Sequence, residues 1–261
     1  MCTFIIRYRP GHDWPVAIAT TRDEMIDRAW LPPARHWPDR AHVVAGQDEL
    51  AGGTWLGLND DGVVAGVLNR PDSLGPVDDK RSRGELPLEA LDHATAQDAA
   101  DALIHLEPAS YRSFNMVIAD AEKAFWLKST GQIGGKEGGN GAGSHPVTAH
   151  EIQPGVSMIT AYDLNDTNGT RTRRYLPKFR AATEPDPETG DWAAWQDLLA
   201  SRKREPDAGQ EGAMCIVTDH GYGTVSSSLI ALPRLDRIGV KPIWLFAPGR
   251  PGEAVHKSLE L

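Results

Sequence analysis

Short runs of β-branched and aromatic residues open and close this chain of 261 residues, and helical patterns lie between them. Residues 2–9 and 16–21 predict two strands joined by turn formers, which is typical of an antiparallel hairpin. Further strands are predicted at residues 43–45, 52–58, 62–69, 114–119, 124–128, 156–162, 213–218, 225–232 and 242–246. Strands at both ends with helices between them favour one α+β domain over residues 1–261.

Four segments have the apolar spacing of helices, residues 82–93, 95–105, 173–182 and 192–204. Ser82 and Glu85 stand three residues apart, which is the spacing of a capping box. Thr95 and Asp191 are placed to cap the helices that follow them. Residues 31–41 hold three prolines and predict an irregular segment, and residues 131–143 hold seven glycines and predict a mobile hairpin tip.

Charge and composition exclude several classes of function. The chain carries 36 acidic residues against 27 Lys and Arg, a formal charge of −9, which argues against binding nucleic acid or an anionic membrane. No apolar stretch is long enough for a membrane span, and the amino terminus lacks the pattern of a signal peptide. The two cysteines and nine scattered histidines form no metal-binding motif. We therefore expect no metal, no resident cofactor and a reduced, cytoplasmic location.

The two cysteines differ in their surroundings. Cys215 lies inside a predicted strand, which is typical of a buried and inert thiol. Cys2 follows the initiator Met1, and removal of that methionine would give one residue both a thiol and a free α-amine. An α-amine has an unperturbed pKa of roughly 7.7–8.0, so it can serve near neutral pH as the base that activates the thiol. Position alone leaves open whether the Met-Cys start is accidental.

Polar residues at two strand ends are candidates for the rest of such a site. Arg22, Asp23 and Glu24 follow the first hairpin, whose return strand runs back beside Cys2; the alternative is a solvated turn. Asn69 ends an apolar strand, where its amide is either an oxyanion donor or simply a turn residue.

Seven short motifs occur in order along the chain: Met1-Cys2, Thr21-Arg22-Asp23-Glu24, Gly52-Gly53-Thr54-Trp55-Leu56-Gly57, Val67-Leu68-Asn69, Ser82-Arg83-Gly84-Glu85-Leu86, Phe114-Asn115 and Gly221-Tyr222-Gly223-Thr224. Together they resemble the NRDE family, also called the transport and Golgi organisation 2 family. That family is similar to the cysteine branch of the N-terminal nucleophile (Ntn) hydrolases, which contains bile-salt hydrolases and penicillin acylases. The resemblance implies a four-layer αββα sandwich, in which two antiparallel sheets pack together with helices outside.

The resemblance also implies roles for single residues. Cys2 would be the nucleophile, with Arg22 beside its sulfur and with Asp23 or Glu24 orienting the amine. Asn69 would donate to the oxyanion. The substrate cleft would be lined partly by aromatic residues, with Trp55 and Trp30 as candidates.

Two departures from the family pattern weaken these assignments. The family usually has Ser-Asn where this chain has Thr160-Ala161, and Asn165 is only a displaced candidate for that second amide. The family also usually has an arginine where this chain has Val225, so Arg22 would have to polarise the nucleophile alone. A weak or retired enzyme is therefore an alternative.

Two functions follow from the resemblance. The favoured one is an N-terminal cysteine hydrolase or acyltransferase that acts on a linear, non-peptide C–N bond of a small molecule through a thioester at Cys2. The alternative is a non-catalytic carrier, because the wider family is discussed in connection with haem and with lipid or acyl-coenzyme A handling. Haem would use a cysteine or a histidine as its axial ligand, so Cys2 could serve in that case. The oligomeric state stays open.

Overall fold

The computed structural model describes residues 2–75, 77–131 and 147–261. Its strands are β1 Thr3–Tyr8, β2 Val16–Met25, β3 Trp30–Ala34, β4 Val43–Asp48, β5 Leu56–Asn59, β6 Val64–Asn69, β7 Phe114–Ala119, β8 Ala124–Ser129, β9 Thr148–Glu151, β10 Gly155–Ile159, β11 Tyr222–Leu232, β12 Ile243–Ala247 and β13 Lys257–Ser258. The α-helices are α1 Glu85–Leu91, α2 Ala96–Leu103, α3 Thr170–Ala181 and α4 Ala193–Leu199.

The described strands form two antiparallel sheets. One has six strands in the order β10-β1-β2-β11-β12-β13, and the other has seven in the order β3-β4-β5-β6-β7-β8-β9. The predicted first hairpin is confirmed, with Thr3 opposite Thr21 and Tyr8 opposite Val16. Strand β2 runs on to Met25, so residues 21–24 belong to a strand and not to a solvated turn.

Three buried apolar clusters separate four layers. Between the sheets lie residues of β1, β2, β5 and β7, among them Phe4, Ile18, Leu58 and Val117. Helices α1 and α2 cover the outer face of the seven-stranded sheet through Leu88, Leu103, Ile118 and Leu127. Helices α3 and α4 cover the other sheet through Ile5, Tyr175, Trp195 and Leu229. The predicted αββα sandwich is therefore confirmed.

Strand alternation assigns each side chain of β1 to one of these layers. Successive side chains on a strand point to opposite faces. Phe4 and Ile6 pack between the sheets, whereas Ile5 packs under the helices. The same alternation decides below which residues can surround Cys2.

The predicted irregular segment at residues 31–41 is wrong at its beginning. Residues Trp30–Ala34 form β3, at the edge of the seven-stranded sheet, and its pairing with β4 shifts register between Leu31 and Ala34. Proline lacks an N–H donor, but an edge strand needs donors on one side only. Pro32 and Pro33 are tolerated there for that reason.

The helix starts were predicted with mixed success. Thr95 caps α2 as expected, because its hydroxyl accepts the N–H of Asp98 at 3.0 Å. The capping box is wrong: Gly84 is the N-cap of α1, and Glu85 pairs instead with Arg81 at 2.5 Å.

Other boundaries also differ from the predictions. The N-cap of α4 is Trp192 and not Asp191, although Asp191 accepts the N–H of Ala193 at 3.0 Å, and α4 ends at Leu199, well before residue 204. Residues 213–218 make only an isolated bridge, between Val217 and Gly223, instead of a strand. The glycine-rich segment lies between the paired strands β8 and β9, and residues 132–146 fall outside the described part.

None of the described helices is both long and apolar enough to cross a membrane.

Candidate active site

Cys2 stands directly before β1 and touches the main chain of β2. The N–H of Asp23 donates to Sγ at 3.4 Å, and the thiol lies 3.8 Å from the carbonyl oxygen of Asp23. Cys2 is half-buried and packs against the apolar cluster between the sheets, on the same face of β1 as Phe4. Its sulfur therefore lies at the edge of the inter-sheet core.

Arg22 places a buried cation on this inter-sheet face. Its guanidinium lies 4.2 Å from the ring centre of Trp55 and 5.9 Å from that of Trp30, and Nη2 is 3.5 Å from the carboxylate of Asp48. Only 4% of the side chain is exposed. Burial lowers the pKa of Arg22, and the negative charge of a Cys2 thiolate acts in the opposite direction. Arg22 thus lies on the same sheet face as Cys2, and its role beside the sulfur stays a prediction.

Asp23 points to the opposite face of the sheet, under helix α3. Its carboxylate accepts from Thr224 Oγ1 at 2.6 Å and from Arg171 Nη1 at 3.0 Å. The same Arg171 nitrogen donates to Thr3 Oγ1 at 2.5 Å. Both charged side chains are enclosed, with 0% of Asp23 and 2% of Arg171 exposed. A buried ion pair thus supports the strand residue that touches Sγ.

Glu24 has a different environment from Asp23. Its carboxylate accepts the N–H of Met25 at 2.8 Å and lies 3.8 Å from Arg28. The sequence left Asp23 and Glu24 open as the residue that orients the amine. The geometry favours Asp23, because its carboxylate is enclosed beside the start of β1.

The surroundings of Cys2 shift the pKa of its thiol upward. Burial is the main cause that raises the pKa of Cys2, and the charge of Asp23 adds to it. The N–H of Asp23 and the cation of Arg22 act against the rise. A thiol with a raised pKa needs a base to become a nucleophile near neutral pH.

Asn69 is the last residue of β6 and lies opposite Phe114 of β7. Strand β6 crosses beneath β1, because a Cβ on Gly66 would lie 2.9 Å from the ring of Phe4. Asn69 is half-buried, and its side-chain amide makes no hydrogen bond with any residue that the structure describes. Strand alternation assigns Asn69 to the face of Ala65 and Phe114, which pack against the helix layer, so its role as an oxyanion donor stays a prediction.

Asn165 is already engaged within its own loop. Its backbone adopts φ +59°, its Oδ1 accepts the N–H of Met158 at 2.8 Å, and its Nδ2 donates to Ser157 at 3.1 Å. These contacts close the loop after β10. A role for Asn165 in substrate binding stays a prediction, and it would have to use the remaining N–H.

Ala161 follows β10 beside the start of β1. Ile159 lies opposite Phe4, so continuing the antiparallel register places Ala161 across from Cys2. Asn115 holds this segment, because its Nδ2 donates to the carbonyls of Thr160 at 2.9 Å and Tyr162 at 2.7 Å. The motif residue Asn115 therefore supports the strand end next to the sulfur.

Two site residues were missed by the sequence predictions. Arg171 provides a second buried cation near Cys2, in a chain that has Val225 where the family pattern has arginine. Tyr222 Oη donates to the carbonyl of Asp23 at 3.4 Å, and burial is the main cause that raises its pKa. The sequence indicated Tyr222 only as part of the motif Gly221-Tyr222-Gly223-Thr224, with no role assigned to it. Arg171 had no local signal, because its partner Asp23 lies in a distant strand.

Two glycine motifs meet behind the site. A Cβ on Gly53 would lie 2.4 Å from the carbonyl carbon of Gly84, and Thr54 donates its N–H to the Gly84 carbonyl at 2.8 Å. Trp55 follows, with its indole against Gly46, where a Cβ would be 2.3 Å from the ring. Because Gly53, Gly84 and Gly46 have no side chains, the segment around Trp55 packs directly against the main chain of Gly84 and of Gly46. This packing places the Trp55 ring against Arg22.

The described residues contain no candidate metal site, and the second cysteine is not a candidate nucleophile. No three His, Cys, Asp or Glu side chains come together there in a way that could hold a metal ion. Cys215 is buried, as predicted, and burial raises its pKa.

Comparison with known proteins assigns the chain to a protein family. A family model described as transport and Golgi organisation 2 matches residues 1–239. This chain belongs to the transport and Golgi organisation 2 family. The family's mouse (Mus musculus) homolog is 30% identical over 134 residues, which cover 46% of this chain and 45% of the mouse protein. The match thus spans about half the length of that relative.

Three solved structures are similar in fold to this chain. Penicillin V acylase from Agrobacterium tumefaciens has a TM-score of 0.55 at 16% identity, over 95% of this chain and 83% of that one. The Caenorhabditis elegans ortholog of N-acylethanolamine-hydrolyzing acid amidase has a TM-score of 0.52 at 15% identity, over 92% and 98%. A variant of conjugated bile acid hydrolase from Clostridium perfringens has a TM-score of 0.51 at 11% identity, over 95% and 89%. The fold is that of the Ntn hydrolases.

Proposed function

We propose that this protein is an N-terminal cysteine hydrolase or acyltransferase that cleaves a non-peptide amide through a thioester on Cys2. The observation that supports the proposal is the contact of Sγ with the main chain of Asp23 at the edge of the inter-sheet core, where the charge of Arg22 also acts on the thiol. Two proteins that share the fold are named a penicillin V acylase and an N-acylethanolamine-hydrolyzing acid amidase, which supports amide cleavage as the reaction class.

The reaction begins after removal of Met1, which lies outside the described residues. The free α-amine of Cys2 takes the thiol proton, and the sulfur attacks the amide carbonyl carbon. The side-chain amide of Asn69 stabilises the oxyanion. The tetrahedral intermediate then expels the amine, which receives the proton held by the α-ammonium group.

Water or a second amine resolves the thioester. Attack on its carbonyl releases the acyl group from Sγ, and the α-amine takes the proton of the attacking molecule. In this scheme Arg22 stabilises the thiolate, and Asp23 holds the α-amine in place. The raised pKa of Cys2 explains why a base on the same residue is required.

The carrier of haem or of a lipid or acyl-coenzyme A ligand is the second candidate. It is favoured by two observations: the thiol is desolvated, and Ala161 and Val225 replace polar residues of the family pattern. The two proposals differ in what they require of Cys2. Catalysis requires covalent acylation, whereas haem binding requires coordination.

Mass spectrometry of the intact protein tests the proposal. After treatment with an electrophilic acyl substrate such as a p-nitrophenyl ester, we expect a chain without Met1 that carries one acyl group on Cys2. The Cys2→Ala variant is the control and stays unmodified, while Cys215 remains buried in both proteins. A chain that has lost Met1 and is never acylated would overturn the proposal. A Soret band on adding haemin that disappears in Cys2→Ala would support the carrier instead.

A further inference from the structure

Arg83 is a cation without an acidic partner in the described part of the chain. Its Nη1 donates to Ser73 Oγ at 2.8 Å and to the carbonyl of Ser113 at 2.9 Å, and both acceptors are neutral. Its Nε and Nη2 make no hydrogen bond with a described residue. The nearby Arg81 differs, because it pairs with Glu85 at 2.5 Å and Glu89 at 3.2 Å.

Arg112 increases the positive charge at this place. Its guanidinium donates to the main-chain carbonyls of Asp72, Leu74 and Gly75, so that cation also faces no described carboxylate. Burial lowers the pKa of Arg83 to about 10, and the charge of Arg112 acts in the same direction. Within the described residues these two cations therefore have no carboxylate partner, although the chain has a formal charge of −9.

Arg83 lies at the strand ends that hold Asn69 and Phe114. Ser73 closes a turn with Arg70, the residue that follows Asn69, by donating to its carbonyl at 2.7 Å. Ser113 precedes Phe114, which lies opposite Asn69. Arg83 therefore bridges the ends of β6 and β7 where Asn69 stands, and its charge also acts on Cys2.

We infer that Arg83, assisted by Arg112, is the subsite for an anionic group of the ligand, a carboxylate or a phosphate. The free edge of a guanidinium matches two oxygens of such a group, and charge-assisted hydrogen bonds are the strong ones. The inference rests on the proposed function, since it names the substrate class as amides that carry an anion near the scissile bond.

Ligand binding without turnover tests the subsite. We would measure the affinity of the Cys2→Ala protein for N-phenylacetylglycine and for N-phenylacetylglycinamide, which differ only in carboxylate against carboxamide. In this background Arg83→Gln should weaken binding of the carboxylate about 10- to 100-fold and leave the carboxamide unchanged. Arg83→Lys, which keeps the charge, should recover part of the loss. Arg81→Gln is the matched control and should change neither affinity.

The outcomes separate this inference from the proposed function. Equal binding of the two compounds to the Cys2→Ala protein, or an equal loss for both in Arg83→Gln, would overturn the anionic subsite. Failure of Cys2 to accept an acyl group from a neutral ester would overturn the hydrolase proposal alone. Phosphate that competes with the carboxylate in the Arg83 protein, and not in Arg83→Gln, would extend the subsite to phosphorylated ligands.

Discussion

Arg171 and Asp23 form an ion pair of 3.0 Å beneath the strand residue that contacts Cys2. Arg171 comes from α3, whereas Asp23 comes from β2, so the pair joins the helix layer to the six-stranded sheet. The main chain of Asp23 faces the sulfur while its side chain faces the helices. The pair therefore fixes the position of the strand residue that contacts the Cys2 sulfur.

Breaking this ion pair should destabilise the fold. We expect Arg171→Met to cost about 3–5 kcal/mol in the free energy of unfolding, because it removes a hydrogen-bonded cation from the fully buried carboxylate of Asp23. The Asp23→Asn, Arg171→Met double variant should cost less than the sum of the two single changes. Urea denaturation measures both quantities. The exposed pair of Arg35 and Asp60, 2.7 Å apart, is the control, and Arg35→Met should cost less than about 1 kcal/mol. A similar small cost at Arg171 would contradict the prediction.

The reactivity of Cys2 should follow the burial and the charges that shift the pKa of its thiol. Iodoacetamide reacts with the thiolate, so the raised pKa should make alkylation at pH 7.5 slower than in the unfolded chain. Arg22→Met removes a cation that lowers this pKa and should slow alkylation severalfold further, with the rising part of the rate profile moved to higher pH. Arg28→Met, which removes a cation paired with Asp48, is the control. Faster alkylation of the Arg22 variant would refute this account.

The raised pKa of the Cys2 thiol should also make the free energy of unfolding depend on pH. The pKa of Cys2 is higher in the folded than in the unfolded state, so the folded protein keeps its proton as pH rises. The contribution to stability is complete below the unfolded-state pKa and is lost as pH rises through the folded-state pKa. We expect the free energy of unfolding to fall less steeply above about pH 8.5 in Cys2→Ala than in the parent chain. Parallel curves would show that another group governs this range.

Loss of the amide of Asn69 should affect the acylation rate much more than folding. Removing an oxyanion donor typically lowers a rate by about 10²–10³, so Asn69→Ala should acylate Cys2 slower by that factor. Stability should change little, because no described residue depends on this amide. Asn168→Ala in the loop before α3 is the control. Stopped-flow acylation rates within threefold of each other would remove Asn69 from the mechanism.

The parts of the fold that depend on local patterns could be predicted from the sequence. The β1–β2 hairpin and the Thr95 cap each depend on residues close together in the chain, and both are confirmed. Strand β3 was missed because the prolines hide its apolar pattern, and only its place at the sheet edge makes them acceptable.

Only those contacts of the candidate site that lie within one hairpin could be predicted from the sequence. The approach of Arg22 and Asp23 to Cys2 follows from hairpin geometry, so the sequence could indicate it. The pairing of Asp23 with Arg171 depends on how α3 packs, and the contact of Gly53 with Gly84 depends on how two separate loops meet. No local pattern encodes either contact.

The contact between Gly53 and Gly84 should be required for the geometry of the site. In Gly53→Ala the new Cβ would lie 2.4 Å from the carbonyl carbon of Gly84, which is main chain and cannot move aside alone. We expect a loss of about 1–3 kcal/mol, a change in tryptophan fluorescence as Trp55 shifts from Arg22, and an altered rate of Cys2 alkylation. Gly11→Ala is the matched control: its φ of +80° strains an alanine by about 1–2 kcal/mol, but nothing lies within 4 Å of the new Cβ and the turn is at the far end of the hairpin. It should lose similar stability while Cys2 reacts as in the parent chain. If both variants changed Cys2 reactivity equally, the effect would come from general destabilisation and not from the glycine contact.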